Sequence, residues 1–344
     1  MWAEIGVGAL AAVALIAYAV LAGADFGGGV WDAFARGPRK DAQREAIAHA
    51  MGPVWEANHV WLIFVVVLLF SGFPVAYSTL GIALFVPFHL VLLGIILRGA
   101  AFVFRAYSPQ SARRAGPGRG GRRWGAIFGA ASTVTPVLLG MCLGAVSAGR
   151  IRVAADGTVT AAGAWTGALQ VAMGAFALAI CAYLAAVYLA NETAGALRED
   201  FRSRALQAGT AVVALSVLVL PLLHLRAPHL WDGLLSARAA PVVAAGAAAA
   251  LLSGWALLRR RFRTARIATV VQTACLVGGW ALAQYPYVIY PDVTLHSAAA
   301  PQPTLKFVLY TLPVGLALLI PSLIYLFRVF KGEHLTLGEP PQPE

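Results

Sequence analysis

Charged residues are scarce in this chain of 344 residues. Asp, Glu, Lys and Arg together make up 12% of the sequence, hydrophobic residues make up 60%, and the mean hydropathy is +0.74. Soluble globular domains carry about 25% charged residues, because polar groups must cover their surface. The composition therefore excludes a soluble globular protein and predicts an integral membrane protein.

Cysteine is almost absent as well, with three residues in the whole chain. All three lie in apolar segments, and no two have the close spacing of a paired motif: Cys142, Cys181 and Cys275. Disulfide frameworks and zinc sites depend on such pairs, so neither is predicted, and no metal site is expected. We expect the three thiols to be small core residues.

The chain has instead a series of long apolar runs, each near the roughly 20 residues that a helix needs to cross a bilayer. Backbone groups in lipid must be hydrogen-bonded within their own segment, so these runs are predicted to be helices of one all-α membrane domain, residues 1–344. The first run is too long and its start too poor in basic residues for a cleaved signal peptide. Gly72 and Pro74 break the end of the second run. We identify nine runs: 5–29, 57–75, 80–104, 124–146, 166–190, 206–226, 238–257, 267–283 and 305–330.

Basic residues are distributed unevenly over the connections between these runs. Twenty of the 26 Lys and Arg residues fall in the first, third, fifth and seventh loops and the C-terminal tail, whereas four fall on the other side. Basic residues mark the cytoplasmic side of a membrane protein, so the N-terminus is predicted to face out and the C-terminus to face the cytoplasm. The net charge of +11 then reflects topology and contact with anionic membrane lipid, and it does not indicate nucleic-acid binding.

Polar residues inside the apolar runs are concentrated in the first third of the chain. The start of the second run carries a carboxylate, an amide, an imidazole and two indoles: Trp55, Glu56, Asn58, His59 and Trp61. A charge at the edge of a membrane helix is costly, and it marks either an anchor or a path for protons or ions. Glu56 and His59 are three residues apart, so a helix places them on one face.

Asp25 and Arg98 are predicted to lie at the same depth as this string. A helical rise of about 1.5 Å per residue places them roughly 6 Å and 9 Å from the inner ends of their runs. Because Glu56 and His59 are expected to open the second helix from the cytoplasmic side, all four are predicted to form a proton-transfer group. Two alternatives remain open: Arg98 only neutralises Asp25 or Glu56 in a structural ion pair, or Glu56 favours the dipole of a helix that begins at Pro53.

The histidines do not predict a haem site in this chain. Haem needs axial ligands, usually histidines, that face one cavity. His59 and His89 differ in depth along their runs, and the remaining histidines lie in loops or at segment ends. No residue of the chain is assigned a catalytic role.

Four strings, in order along the chain, carry a resemblance to a known family: Gly23 to Gly29, Trp55 to Leu62, Leu97 to Arg105 and Gln284 to Asp292. They resemble subunit II of the cytochrome bd-type ubiquinol/menaquinol oxidases and look closest to the cyanide-insensitive branch. The string Trp-Glu-Ala-Asn-His-Val-Trp is the most specific of them.

This resemblance implies an architecture of two four-helix bundles, 1–146 and 166–283, and one peripheral helix, 305–330. It also implies a partner in the bacterial cytoplasmic membrane, subunit I, which holds haem b, haem d and the main quinol site. Quinone, membrane lipid and a small accessory helix are further expected partners.

The resemblance assigns roles to individual residues of this sequence. Asp25 and Glu56 match acidic positions that line a proton route from the cytoplasm, with Arg98 beside them. Two departures matter: position 56 is Glu where other members carry Asp, and Val103 stands where members often have Glu. A role for that second acid cannot be transferred to this chain.

The predicted function is that of subunit II of a terminal oxidase, which oxidises quinol and reduces oxygen to water electrogenically. The chain would contribute assembly and a cytoplasmic proton-uptake route, with Trp55, Asn58 and Trp61 contacting the partner or positioning a helix. One alternative is a proton-coupled secondary transporter, although transporters carry their polar groups near the bilayer midplane. Another is a purely structural partner subunit whose acids form inert ion pairs.

Overall fold

The structure, a computed structural model, describes residues 2–106 and 119–332, except for the side chains of 52–57, 105–106, 119–122, 326–327 and 329–332. The helices are α1 (Trp2–Ala33), α2 (Lys40–Gly72), α3 (Pro74–Ala83), α4 (Phe85–Ala106), α5 (Arg119–Ser147), α6 (Ala168–Glu192), α7 (Gly195–Arg226), α8 (Pro228–Leu235), α9 (Ala240–Leu258), α10 (Phe262–Gln284) and α11 (Gln302–Gly332). Two short antiparallel ribbons complete the described elements: β1 (Arg152–Val153) with β2 (Val159–Thr160), and β3 (Tyr287–Ile289) with β4 (Val293–Thr294).

The helices confirm the predicted all-α membrane class. Among the described residues, eight helices are long and apolar enough to cross a membrane, and the bent pair formed by α2 and α3 would make a ninth. Every predicted run overlaps at least one of these helices. The orientation of the termini and the division into two four-helix bundles and a peripheral helix stay predictions.

The second helix begins much earlier than predicted. α2 starts at Lys40, and most of the predicted first loop is helical. The prediction missed this part because it is polar, whereas a helix at a protein surface needs only one apolar face. That face is formed by Ile47 and Met51, which pack in one buried cluster with Leu189. The alternative in which Glu56 lies in the first turn of a helix that begins at Pro53 is therefore wrong, since position 56 lies in the interior of α2.

The break at Gly72 and Pro74 redirects the chain. α3 is turned by 116° relative to the Asn58–Gly72 part of α2. Pro74 has no backbone N–H and is tolerated at the first position of a new helix, which is where it stands. The predicted third run is consequently divided at Leu84, so that its first residues belong to α3 and the rest to α4.

Ion pairs bring together the loops that the sequence predicts to be cytoplasmic. Arg39 Nε donates to Asp200 Oδ2 at 2.8 Å, and Gln43 Nε2 donates to the same oxygen at 2.9 Å. Arg266 Nη1 lies 2.9 Å from Glu192 Oε1. We call this the basic end of the molecule. It comprises the connections 34–39, 193–194 and 259–261.

The opposite end comprises the connections 148–167 and 285–301, which carry the two ribbons. Arg152 joins them, because its Nε donates to Asp292 Oδ2 at 2.8 Å and the Val153 backbone N–H donates to the same oxygen at 2.9 Å. Glu4, at the start of α1, accepts hydrogen bonds from Gln302 Nε2 at 2.7 Å and contacts His296 Nδ1 at 2.9 Å. The start of α11 is thereby fastened to α1.

The ion pair of Arg152 and Asp292 predicts a pH dependence of stability at this end. The hydrogen bond from Arg152 lowers the pKa of the Asp292 carboxyl below its ordinary value. A carboxyl with a lowered folded-state pKa stabilises the protein above its unfolded-state pKa, about 3.9 for Asp, and this contribution disappears as the pH falls through the folded-state pKa. We expect Asp292→Asn to lose stability at pH 7 and to show a flatter acid limb than the wild type, measured as the melting midpoint of the purified complex between neutral and acidic pH. An unchanged midpoint at both pH values would show that the pair contributes nothing.

Candidate functional site

The buried polar cluster is centred on Asp25 of α1 and Arg98 of α4. Arg98 Nη1 donates to Asp25 Oδ2 at 2.6 Å, and Nη2 donates to Oδ1 at 2.6 Å and to the Asp25 carbonyl oxygen at 3.0 Å. The two residues are 1% and 3% exposed. Bidentate pairs of this kind are the strong, charge-assisted form of the hydrogen bond. The structure thus brings together two of the predicted proton-transfer residues as a buried ion pair.

The Arg98 guanidinium also contacts three further side chains. Nε donates to Ser132 Oγ of α5 at 2.9 Å, and Ser132 is fully buried. The guanidinium carbon lies 5.2 Å from the ring centre of Phe26 and 4.9 Å from that of Phe128. Aromatic faces attract cations at such distances, so the site is built around a permanent positive charge. These three partners could not be predicted from the sequence, because single polar or aromatic residues in apolar runs carry no pattern.

Asn58 of α2 is the third member of the cluster. Its Nδ2 donates to Asp25 Oδ2 at 2.8 Å, and the residue is 2% exposed. Its Oδ1 is buried without a hydrogen-bond partner in the described part of the chain. Asn58 therefore fastens α2 to α1, and it presents one unused acceptor beside the ion pair.

The side chain of Trp61 packs against α1 of the same chain. Its partly buried ring packs against a cluster that contains Tyr18, Ala22 and Phe26 of α1, and it meets Phe64 edge to face at 6.5 Å. Within this chain, Trp61 and Asn58 hold α2 against α1. The side chains of Trp55 and Glu56, also predicted as site residues, lie outside the described residues.

His59 is half-buried, and it directly follows Asn58, whose side chain bonds Asp25. The prediction that His59 and Glu56 open the second helix is wrong, because α2 begins at Lys40 and these positions lie about 24 Å or more along its axis from that start. The part of α2 that precedes them is polar, and it lies outside the apolar run that predicts this helix.

The depth predicted for the ion pair also needs correction. Asp25 and Arg98 each stand eight residues before the last residue of their helices at the basic end, Ala33 and Ala106. This corresponds to about 12 Å along each helix axis. Both helices extend further than the apolar runs from which the depths were predicted.

The geometry constrains what Asp25 can do chemically. Its carboxylate accepts hydrogen bonds from both Nη atoms of Arg98 and from Asn58. Donors thus occupy three of the roughly four lone-pair sites that a carboxylate offers. The opposite charges of Asp25 and Arg98 compensate each other inside the protein, so the pair can persist without an exchanging proton.

Three of the described histidines lie on three separate helices. His89 Nδ1 on α4 lies 2.7 Å from the Phe85 carbonyl oxygen, His224 on α7 packs edge to face on Trp231, and His229 on α8 stacks on Tyr290. The described residues include a cavity of about 420 Å³ between α1, α9 and α10, and it is lined by apolar and small side chains without histidine. No described group of three or more His, Cys, Asp or Glu side chains is placed to hold a metal ion.

A second group of buried, hydrogen-bonded side chains lies outside the first third of the chain, where most polar residues of the apolar runs are found. Tyr183 Oη of α6 lies 2.7 Å from Ser253 Oγ of α9, and Ser253 Oγ lies 2.6 Å from Thr269 Oγ1 of α10. These hydroxyls satisfy one another and the Ala265 carbonyl oxygen. They tie three helices together, and their residues, single in apolar runs, could not be recognised from spacing.

Comparison with known proteins shows which family this chain resembles over its whole length. The chain matches the family described as cytochrome bd terminal oxidase subunit II over residues 4–330. It is 25% identical over 350 residues, 96% of this chain and 97% of the relative, to a Bacillus subtilis (strain 168) protein named as a cytochrome bd menaquinol oxidase subunit II. It is 36% identical over 96 residues, 28% of either chain, to cytochrome bd ubiquinol oxidase subunit 2 of the same organism.

The fold is shared with a chain in the structure of bd oxidase from Geobacillus thermodenitrificans. The TM-score is 0.80 at 23% sequence identity, with 96% of this chain and 99% of that chain covered. The family match spans the helices from α1 to α11, and the helices themselves are those of a multi-pass membrane protein. This chain therefore belongs to the cytochrome bd terminal oxidase subunit II family.

Proposed function

We propose that this chain provides proton uptake and assembly for a bd-type quinol oxidase in the bacterial cytoplasmic membrane. Its partner is subunit I, whose haem b and haem d supply the electron transfer from quinol to oxygen. The reduction of oxygen to water consumes protons, and we propose that this chain delivers them. Membrane lipid and a small accessory helix are further proposed partners.

The observation that carries this proposal is the buried cluster of Asp25, Arg98 and Asn58 beside the turn of α2 that holds Glu56 and His59. A buried ion pair is weak evidence for stability, because the loss of hydration offsets the attraction of the charges. Polar and ionisable groups inside a membrane protein commonly mark a proton or ion pathway. The cluster joins α1, α2, α4 and α5, so it lies within the packing of the first helices rather than at their lipid surface.

Within the proposed route, the residues have different roles. Glu56 is the exchanging carboxylate: it takes up a proton, becomes neutral, and is ionised again when the proton moves on to the next acceptor. His59, one helical turn further, offers an imidazole on the same face of α2. Asp25 and Arg98 form a compensated pair that keeps the route polar.

The direction of the route follows from the proposed orientation of the chain. Basic loops mark the cytoplasmic side, so the basic end would take protons from the cytoplasm. Quinol oxidation that releases its protons on the other side then makes the reaction electrogenic without a separate pump.

The four hydrogen bonds that Arg98 donates to Asp25 and Ser132 support a second candidate, a structural subunit whose ion pair only holds helices together. The two candidates differ in what Glu56 contributes. In the structural candidate, the carboxylate of Glu56 has no proton to pass on, and its replacement affects assembly or nothing.

The test is Glu56→Gln in the complete oxidase. We expect this variant to co-purify with subunit I and a normal haem absorbance, and to consume oxygen several-fold more slowly with quinol as donor, because a neutral amide cannot carry a proton. Oxygen consumption per haem is the measurement.

Two controls define the outcome. Glu56→Asp keeps the carboxylate and is expected to retain most activity, and Glu45→Gln removes an exposed carboxylate from the same helix and is expected to change nothing. Loss of the complex in Glu56→Gln would favour the structural candidate, and unchanged turnover would exclude Glu56 as a proton carrier. Purification of the chain alone, without haem, would contradict the oxidase assignment altogether.

A further inference from the structure

Three side-chain oxygen atoms beside and beyond the ion pair are buried without a hydrogen-bond partner in the described part of the chain. They are Asn58 Oδ1, the Tyr18 hydroxyl and Thr135 Oγ1. The residues that carry them are 2%, 6% and 0% exposed. Each is on a different helix, α2, α1 and α5 respectively, and all three helices contribute to the Asp25–Arg98 cluster.

Tyr18 continues the cluster along α1 toward the opposite end. It stands seven residues before Asp25, which is two helical turns and about 10 Å on the same helix face. Its ring packs with Ala22, Phe26 and Cys181, and half-buried apolar residues of α2, α4 and α5 close this region.

Thr135 continues the cluster along α5 in the same direction. It stands one turn beyond Ser132, the partner of Arg98 Nε. Its Oγ1 lies against Gly94 of α4, so closely that a side chain at position 94 would collide with it. Gly94 itself precedes Arg98 by one turn. The small residue therefore leaves room at the helix contact where the threonine hydroxyl lies.

Buried hydroxyl and amide groups in proteins are nearly always hydrogen-bonded, either to protein atoms or to ordered water. Buried water typically makes about three hydrogen bonds to such otherwise unsatisfied groups. Three unpartnered oxygens around one polar cluster, in a region otherwise packed with apolar side chains, match this pattern. The Asn58 oxygen can accept a hydrogen bond from water, whereas the hydroxyls of Tyr18 and Thr135 can both accept hydrogen bonds from water and donate them to it.

We propose that Tyr18, Asn58 and Thr135 bind ordered water next to the Asp25–Arg98 pair, and that this water carries protons past the pair toward the opposite end. This inference rests on the proposed proton-uptake function and names positioning residues for it. Each transfer moves one proton: a water oxygen or hydroxyl accepts a proton from one neighbour and releases another to the next, so no side chain keeps a net charge. Asp25 then need not leave Arg98 during turnover.

The first test is Tyr18→Phe in the complete oxidase, which removes the hydroxyl and retains the ring. We expect normal haem content, a several-fold slower oxygen consumption and a larger solvent deuterium isotope effect, because proton transfer becomes more rate-limiting. A purely structural role would not change the isotope effect. The matched control is Tyr183→Phe, which removes a buried hydroxyl from the separate Tyr183–Ser253–Thr269 chain and is expected to leave turnover per haem and the isotope effect unchanged.

The second test compares Thr135→Val with Thr135→Ser. Valine keeps the shape of threonine without the hydroxyl and is expected to slow turnover, whereas serine keeps the hydroxyl and is expected to restore it. Wild-type turnover and isotope effect in both Tyr18→Phe and Thr135→Val would overturn the inference.

The outcome is separable from that of the proposed function. Slow Glu56→Gln with fast Tyr18→Phe and Thr135→Val would retain proton uptake and reject these water-binding residues. Wild-type rates in all three variants would reject both. Should the variants fail to assemble, a high-resolution map of the wild-type complex decides: density for water within hydrogen-bond distance of the Tyr18 hydroxyl and Asn58 Oδ1 supports the inference, and its lack at well-ordered side chains overturns it.

Discussion

Replacing Arg98 with methionine is expected to prevent assembly of the oxidase complex. The substitution would leave the carboxylate of Asp25 buried, 1% exposed, with only the hydrogen bond from Asn58. Removing one partner of a buried ion pair costs about 3–5 kcal/mol, because the other charge stays uncompensated in the interior. The measurement is the yield of haem-containing complex from membranes, followed by its melting midpoint where complex is recovered.

The double variant Asp25→Asn with Arg98→Met is the control for this prediction. It removes both charges, so we expect it to assemble better than Arg98→Met alone, although Ser132 loses its partner. Arg98→Lys keeps the charge without the bidentate geometry, and an intermediate yield is expected. If Arg98→Met assembled as the wild type does, the buried carboxylate of Asp25 would not need a compensating charge in this helix packing.

Replacing Gly27 with alanine is expected to disrupt the contact between α1 and α6. A Cβ atom at position 27 would overlap the carbonyl oxygen of Cys181 and press on the side chain of Ala185. A backbone carbonyl in a helix cannot move aside as the end of a side chain can, so the two helices must separate. Overpacking of a well-packed core typically costs about 1–3 kcal/mol, and here Asp25, two residues earlier, would be displaced with the helix. Melting midpoint and oxygen consumption per haem measure the two effects.

The matched control is Gly254→Ala on α9. A Cβ atom at that position meets no other atom, while the change in helix propensity is the same in both variants and favours alanine by about 1 kcal/mol. We expect Gly254→Ala to be neutral or slightly stabilising, so that the difference between the variants isolates the helix contact. Equal midpoints for the two variants would mean that α1 and α6 adapt to the added methyl group without loss.

The span prediction succeeded where one physical property was decisive. A run of apolar residues long enough for a bilayer must form a helix whatever its neighbours are, and each predicted run accordingly overlaps a helix of the structure. The predicted boundaries failed where another property took over. The polar first half of α2 is held by Ile47 and Met51 on one face, and the course after Gly72 depends on a turn of 116° that no hydropathy pattern contains.

The prediction of the site residues also succeeded in part and failed in part. Asp25, Asn58 and Arg98 could be selected from the sequence because polar groups are rare in these runs. Their pairing could not, since it depends on the axial positions of α1, α2 and α4 relative to one another. Ser132 was missed because a single serine in an apolar run has no distinguishing spacing, yet it bonds the Nε of Arg98 at 2.9 Å.

The sequence by itself determined that this protein is a multi-pass helical membrane protein, and the order of its motifs pointed to a family. Composition, run length and motif order are properties of the sequence that do not depend on how the helices are arranged. Only the tertiary structure decided that Arg98 bonds Asp25 rather than standing near it, that Asn58 completes the pair, and that the Tyr18 and Thr135 hydroxyls lie buried beyond it. These facts depend on contacts between residues far apart in the chain. Such contacts are set by helix packing at close range, which glycines such as Gly27 permit and which hydropathy does not record.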